Sequence, residues 1–543
     1  MRTSRVDSMQ ETSVRSFRYW RRRSRIVATV FRPLAIVAIA ACGDSSPQDN
    51  ATPDGGGPII PPPPGPQVTG IAVEGGQSRQ GSGAAPTNAP TIVHVTGSKL
   101  EGVISVTVGS MRGTIVANTP TQVTFLISVP HGAPLGVQAL NLTTPEGSQS
   151  FMDGVTVAPI TVASTGTDAP TDATAASVGT DGNPLRSLAK AISLAASGDT
   201  ILLKDGVYDQ AGGDDYVKPG REPNVPVGLT LRGESAGGAK LVGAGRVQCT
   251  DSTAQMGLIL AGDTRIENLD LSGFCVAVYA RAGTVTLRGL VVHNIGDDGI
   301  QASDAANITF DNVDVSDSGG SGAWIDGGAT ATFINGRFAH NSANGIYAIS
   351  ANSLTVTGTE FASNGTARDH AGIRAEFITS PASITITRAN FHDNPYTAVL
   401  LNNPAASATI TNSTFKNNPF LGLNVGGGES TVPVTVRGSV FSGSLNDVYL
   451  NGAPVDLGTP TSFGGNTFDT GQNDAAIAND RGSTWPPIFL TGNAWTGIGG
   501  QQPPTGCTTT DVPSASAPRR FWRIATPGSC TSATTGTGNV MLN

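Results

Sequence analysis

The chain has 543 residues and a formal net charge of −8, with 14% charged and 6% aromatic residues. Its 69 Gly and 35 Pro make up about a fifth of the chain, short of the share that marks low-complexity disorder, so a fold is expected and helical bundles or coiled coils are excluded. An acidic balance with no basic run beyond the N-terminus also argues against nucleic acid or an anionic membrane surface as partner.

Residues 1–41 read as a secretion signal, because Arg21-Arg22-Arg23 and Arg25 precede an apolar stretch from Ile26 to Ala41 that ends in small residues. Ile39-Ala40-Ala41-Cys42 resembles the lipobox of bacterial lipoproteins. That resemblance implies acylation of Cys42 and an exported protein held in the cell envelope by acyl chains, at the outer membrane or cell surface. Losing the leader, with nine Arg and two acidic residues, takes the net charge from −8 to −15. Residues 42–67, with Pro61-Pro62-Pro63-Pro64, form a semi-rigid spacer. In an oxidising compartment the remaining cysteines can pair in three ways. Proximity favours Cys249 with Cys275 and Cys507 with Cys530.

Residues 68–158 form a first compact unit. Ile104-Ser105-Val106-Thr107-Val108 and Val123-Thr124-Phe125-Leu126-Ile127-Ser128-Val129 alternate apolar and polar, as half-buried strands do. With Gly97-Ser98-Lys99-Leu100, Val108-Gly109, Val129-Pro130-His131-Gly132 and Leu135-Gly136 between strands, the unit resembles the IPT/TIG branch of immunoglobulin-like domains. A β-sandwich acting as spacer or interaction module is what that likeness implies; His94 and His131 read as plain strand and turn residues. Residues 159–178, rich in Thr, Ala and Asp, read as a linker.

From residue 179 the character changes. Gly179-Thr180-Asp181-Gly182-Asn183-Pro184 leads into Leu185, Leu188, Ile192 and Ala195, spaced for one face of a short amphipathic helix, and Gly198-Asp199-Thr200 turns into a strand. The run resembles the opening of bacterial pectate-lyase-like proteins, which implies a right-handed parallel β-helix with a helix over its first coil. An internal repeat says the same. Ten strands place a large apolar residue seven positions after their first inward residue: Thr264 with Leu271, Val285 with Val292, Ile308 with Val315, Ala331 with Phe338, and Leu354 with Phe361, then Ile384 with Phe391, Ala408 with Phe415, Val434 with Phe441, Thr461 with Phe468, and Ile488 with Trp495. The expected architecture is all-β, a solenoid of about ten to twelve coils over residues 179–500, each about 25 residues long, with 501–543 as cap or tail. Thr286, Thr309, Thr332, Thr355, Thr385, Thr409 and Thr435 would line one outer face. Asn341, Asn364, Asn394 and Asn418, three residues after successive Phe residues, predict an asparagine ladder at a turn.

Function is sought where the register breaks. The coil after Phe361 is long and carries Arg368, Asp369, His370, Arg374 and Glu376; His293, His340 and His392 fall on or beside the same corner, with Asp297, Asp298, Asp317, Asp393 and Lys416. Alternation points Gln301, Trp324, Tyr347, Arg374 and Asn424 outward. Aromatics stack on sugar faces and polar groups take hydroxyls, so Trp324, Tyr347, Arg374 and Glu376 are the expected substrate contacts for a polysaccharide or cell-envelope glycan. Two chemistries would use the corner. β-Elimination of a uronate polymer needs a cation, from Arg374 or from Ca2+ held by Asp297, Asp298 and Asp317, and a base among His370, His392 and Lys416. Hydrolysis needs paired carboxyls, for which Asp298 and Asp317 or Asp369 are candidates.

Gly296-Asp297-Asp298-Gly299-Ile300 looks like the Gly-Asp-Asp element of polygalacturonases. The upstream Asn-Thr-Asp, the Gly-His-Gly and the Arg-x-Lys of that family are missing, as is an Arg-rich pectate-lyase signature, so no residue role transfers. The sequence favours a monomeric surface lipoprotein that binds glycan without turnover. A lyase or hydrolase working around His370 and a structural or adhesive protein are the alternatives.

Overall fold

The computed structural model describes residues 65–74, 76–82, 89–168, 178–212, 225–377, 383–402, 407–426, 432–459, 461–469, 475–479, 492–496 and 519–521. The leader, Cys42, Cys507, Cys530 and Ile488 lie outside them. Residues 64–543 form one unit.

Within it, an eight-stranded, mostly antiparallel sheet from Gln67–Val73 to Gly147–Ala158 encloses its own apolar core, with Val95, Val106, Val108, Phe125 and Leu140 fully buried. Of the alternating run that starts at Ile104, Val106 and Val108 point inward, but Ile104 itself precedes the strand Ser105–Val108 and is 66% exposed.

The rest is a right-handed parallel β-helix. Among the described residues its strands stack into two 12-stranded sheets and one 11-stranded sheet, in which strands pair in parallel with their equivalents one coil away, except that Arg519–Phe521 closes the third sheet by pairing antiparallel with Ala475–Asn479. The chain runs through the first, second and third sheet in turn. Register is kept without a slip from Thr264 through Val285, Ile308, Ala331, Leu354, Ile384 and Ala408 to Val434 in the first sheet. In the second it runs from Leu271 through Val292 and Val315 to Phe338, Phe361, Phe391, Phe415, Phe441 and Phe468. Rings of the last five follow one another at centroid distances of 4.9, 5.0, 4.4 and 5.1 Å, nearly parallel and fully buried. The seven Thr align outward in the first sheet. One register position differs from the sequence reading: Val455, not Thr461, pairs with Val434, because a longer excursion follows that coil's strand and leaves Thr461 exposed.

Turn chemistry explains why the corners repeat. The Asn341, Asn364, Asn394 and Asn418 amides are buried and linked Nδ2 to Oδ1 at 2.9, 3.1 and 2.9 Å, and each Oδ1 of the last three also accepts the backbone N–H of the Asn one coil earlier. Asn364, Asn394 and Asn418 donate in addition to the carbonyls of Phe338, Phe361 and Phe391. A second buried ladder, of changing residue type, runs before the same strands: Ser413 Oγ, Ser439 Oγ, Asn466 Oδ1 and Asn493 Oδ1 each accept the N–H of the preceding coil's equivalent residue. Three residues before the large apolar position the backbone is left-handed in each coil from Leu271 to Phe468, at Asn268, Gly289, Asn312, Asn335, Gly358, Arg388, Asn412, Gly438 and Gly465, where Asn and Gly carry the least strain.

Helix Leu188–Leu194 covers the start of the solenoid as expected, with Ser187 Oγ capping the Lys190 N–H at 3.2 Å and Leu188 and Ala191 buried. The reading of 159–178 as a linker is corrected at Ile160–Val162, while residues 169–177 of that range lie outside the described ones. Pro159 alone separates the strand Gly147–Ala158 from the strand Ile160–Val162, which is fully buried and pairs in parallel with Thr200–Leu203 as the outermost rung of the first sheet. Three residues are too few to show a period. The junction is closed by Asp199, fully buried, whose carboxylate accepts from the Gly132 and Ala196 amides and pairs with His131. Gln80 adds one bond across the junction, accepting from Thr200 N at 2.9 Å, while its amide group is held within the amino-terminal part by donating to Ala133 O at 2.6 Å. His131 is therefore a bridging residue, not a plain turn residue.

Asn394→Ala removes the acceptor for two buried donors and the donor to Phe361 O; a loss of about 3 kcal/mol in urea unfolding is expected, and an unchanged midpoint contradicts the ladder's role. Asp199→Ala uncouples the junction: calorimetry that shows one transition for the parent chain is expected to resolve two for the variant, and a single transition in both overturns that coupling.

Candidate functional site

The outward column of the third sheet runs Tyr279, Gln301, Trp324, Tyr347, Arg374, Leu400, Asn424 and Tyr449 on adjacent strands. Alternation therefore gave the facing of Gln301, Trp324, Tyr347, Arg374 and Asn424 correctly. Trp324 and Tyr347 are half-buried rather than free-standing, with ring centroids 4.6 Å apart and planes at 84°. Their polar ends are tethered, the indole N–H to Asp326 and the phenol to Glu376 Oε2 at 2.9 Å.

Glu376 is 5% exposed and acts as a hub. Its Oε1 accepts from Arg374 Nε at 3.0 Å and from Asn402 Nδ2 at 3.2 Å, so it supports the surface instead of meeting a ligand. Arg374 is likewise committed: Nη2 lies 2.9 Å from Glu376, Nη1 donates to the carbonyl and carboxylate of Asp369 at 2.7 and 3.0 Å, and the guanidinium sits 5.2 Å from the Tyr347 ring centre. Burial, then the hydrogen bond to Glu376, pushes the Tyr347 phenol far above its ordinary value. Partial burial opposes ionisation of Asp369, but the hydrogen bond from Arg374, a backbone hydrogen bond and the nearby charge of Arg374 together outweigh it and hold the carboxyl below the usual range.

His370 closes the long corner. Its Nδ1 accepts the amides of Thr366 and Ala367, both at 3.2 Å, and burial lowers its affinity for a proton. The Nδ1 of this candidate base is thus occupied in folding the loop. The other imidazoles stand apart. His293 and His392 share an outward column of the second sheet with Ser316, Ala339 and Ala362 between them, four strand spacings or roughly 19 Å. His293 bonds Asp270 at 3.0 Å. His392 is also half-buried, which disfavours its charge, but Asp393 at 2.8 Å and Glu360 at 3.0 Å raise its proton affinity. His340, Asp317 and Asp393 occupy one repeated left-handed turn position, with φ of 55° at each. Their residue types answer to the backbone.

Asp297 and Asp298 precede the strand Ile300–Ala302, whose Gln301 is the neighbour of Trp324 in the column. Asp298, 5% exposed, accepts from Ser321 N at 2.7 Å and Gln301 Nε2 at 2.9 Å, and starts a third ladder in which Asn344 donates to Ser321 Oγ and accepts from Ala371 N. Burial raises both carboxyls above their ordinary range, and the neighbouring Asp297 adds to the effect on Asp298. The trio Asp297, Asp298 and Asp317 does not fit Ca2+: Asp317 is exposed at its turn, both Asp298 oxygens already accept, and among the described residues no three His, Cys, Asp or Glu side chains group as a metal needs. A disulfide joins Cys249 and Cys275, with Cα atoms 5.1 Å apart, behind Gly296-Asp297. The Asp297 N–H bonds Cys275 O at 2.9 Å.

The family described as "Right handed beta helix region" matches residues 274–453. No curated protein matches the chain. Solved structures similar to it include a mannuronan C-5 epimerase A-module from Azotobacter vinelandii, 14% identical over 52% of this chain and 94% of that one, TM-score 0.34. Others are the catalytic unit of an alpha-1,3-glucanase from Streptomyces thermodiastaticus, 14% identical over 69% and 88%, TM-score 0.35, and an alginate lyase from Paenibacillus sp., 16% identical over 49% and 94%, TM-score 0.34. Likeness at this level assigns neither substrate nor activity.

A carboxyl whose folded proton affinity is raised costs stability as pH climbs, because the folded state must then ionise it in a desolvated place. Asp298→Asn keeps an acceptor for Ser321 N. Its melting temperature, measured against the parent chain, is expected to gain between about pH 4 and about pH 7, from the ordinary carboxyl range up to the value of about 7 to which Asp298 is pushed; a difference independent of pH contradicts the assignment.

Proposed function

We propose that this chain is an exported lipoprotein, anchored through Cys42, whose β-helix holds a polysaccharide along its third sheet without turning it over. The observation that carries the reading is the Trp324–Tyr347 ledge. Two aromatic rings on adjacent strands, with their polar ends tied to Asp326 and Glu376, keep a fixed orientation, so little side-chain entropy is lost when a sugar stacks on them. Strand spacing of about 4.8 Å brings successive columns to the scale of successive sugars in a polymer. Binding without turnover is favoured because His370 Nδ1 is taken by two amides and Arg374 by two carboxylates, which leaves neither as a free base or a free cation for elimination.

The double variant Trp324→Ala, Tyr347→Ala is expected to weaken retention of the chain on its glycan about tenfold or more while circular dichroism stays unchanged. Retention equal to the parent overturns the ledge as the binding surface. Unsaturated product or new reducing ends from any polymer overturns binding without turnover.

A further inference from the structure

We propose, resting on the polysaccharide-binding reading, that the ledge selects its glycan by charge: it takes polymers of amino sugars carrying free, protonated amines, takes neutral polymers less well, and rejects polyuronates.

The charges around the two rings decide this. Asp326 holds the Trp324 indole N–H, and Asp298 bonds Gln301, the neighbour of Trp324 in the column. Asp297 precedes and Asp304 follows the strand Ile300–Ala302, one at each of its ends, and Asp369 and Glu376 lie on the Tyr347 side. Six carboxyls thus surround the ledge. Four guanidiniums stand against them, of which Arg246 donates Nε to Ile295 O at 3.0 Å at the Asp297 end. Arg374 is shared between Asp369 and Glu376. Arg368 lies over the Phe420 ring at 5.8 Å, away from the aromatic pair. Arg281 follows Ala280, which pairs with Ala302, so it stands beside Ser303 and two strand spacings from the Asp326 position.

A sugar carboxylate laid on Trp324 would therefore meet Asp326, which has no ion-pair partner among the described residues, and an ammonium at the same place would meet an acceptor-rich edge. The carboxyls already repel one another. Burial chiefly, with Asp297 and Asp326 acting on Asp298 and Asp304 acting on Asp326, raises the proton affinities of Asp298 and Asp326. A bound cation relieves that repulsion and a bound anion adds to it. The formal net charge of −8 acts in the same direction at longer range.

The test is retention of the full chain on three immobilised polymers: deacetylated chitosan, the same backbone N-acetylated, and polygalacturonate, each at low and high salt. The expected result is about tenfold tighter retention on the deacetylated than on the acetylated polymer at low salt, a gap that closes at high salt, and none on polygalacturonate. Trp324→Ala should lose the deacetylated polymer, and the pair Asp326→Asn, Asp369→Asn should narrow the gap between the two chitosan forms. Retention on polygalacturonate equal to or better than on the deacetylated polymer overturns charge selection and leaves glycan binding standing. Equal retention of the acetylated and deacetylated forms does the same. Full retention of deacetylated chitosan by Trp324→Ala shows attraction to the acidic chain at large and overturns the ledge as selector. Retention on no polymer removes the binding reading and this inference with it.

Discussion

Everything in the solenoid depends on one constraint: each coil must hydrogen-bond to the next in the same register, so that a side chain's position in its own coil fixes its neighbours above and below. Parallel strands bond evenly along their length and give no local turn to set that register. It is set instead at the corners. The buried Asn341–Asn418 ladder, the Ser413–Asn493 ladder and the left-handed position three residues before the core aromatics repeat the same bend coil after coil. Given that bend, Phe338 to Phe468 stack in the core and Thr286 to Thr435 align outside. The same geometry that builds the scaffold sets Trp324 beside Tyr347.

The amino-terminal sheet belongs to this system and is not a module on a tether. Ile160–Val162 passes from one part to the other within a single residue of the preceding strand, and Asp199, His131 and Gln80 close the contact. Gly132 and Gly198 approach so closely there that a Cβ on Gly198 would stand 2.9 Å from the Gly132 Cα. A parallel solenoid exposes an apolar end and an unpaired edge. Here the helix Leu188–Leu194 meets the first and the rung Ile160–Val162 continues the second into folded protein.

Much of this was legible in the sequence, for a physical reason: columns that need one residue type repeat it. The seven-residue spacing, the Phe and Thr columns, the Asn ladder, the helix cap and the facing of Trp324 and Tyr347 all follow from period and alternation. What escaped was whatever changes type while keeping its role, as Ser413, Ser439, Asn466 and Asn493 do, and whatever is too short to have a period, as Ile160–Val162 is. Contacts across long separations escaped as well. Nothing near His131 points to Asp199, 68 positions on, and nothing near Arg374 shows that its charge is shared between Asp369 and Glu376. Residue type drew His340, Asp317 and Asp393 into a site; backbone conformation accounts for them.

The functional claim comes down to one surface among several polar ones. The second sheet carries His293, Arg337, Glu360 and His392 in ion pairs with their neighbours, a ribbon that residue types alone would rank equal to the ledge. Hydroxyl-radical footprinting of the full chain with and without a retained oligosaccharide separates the two directly. The account predicts protection of Trp324 and Tyr347 from oxidation with His293 and His392 unchanged, and protection confined to the histidines would contradict it.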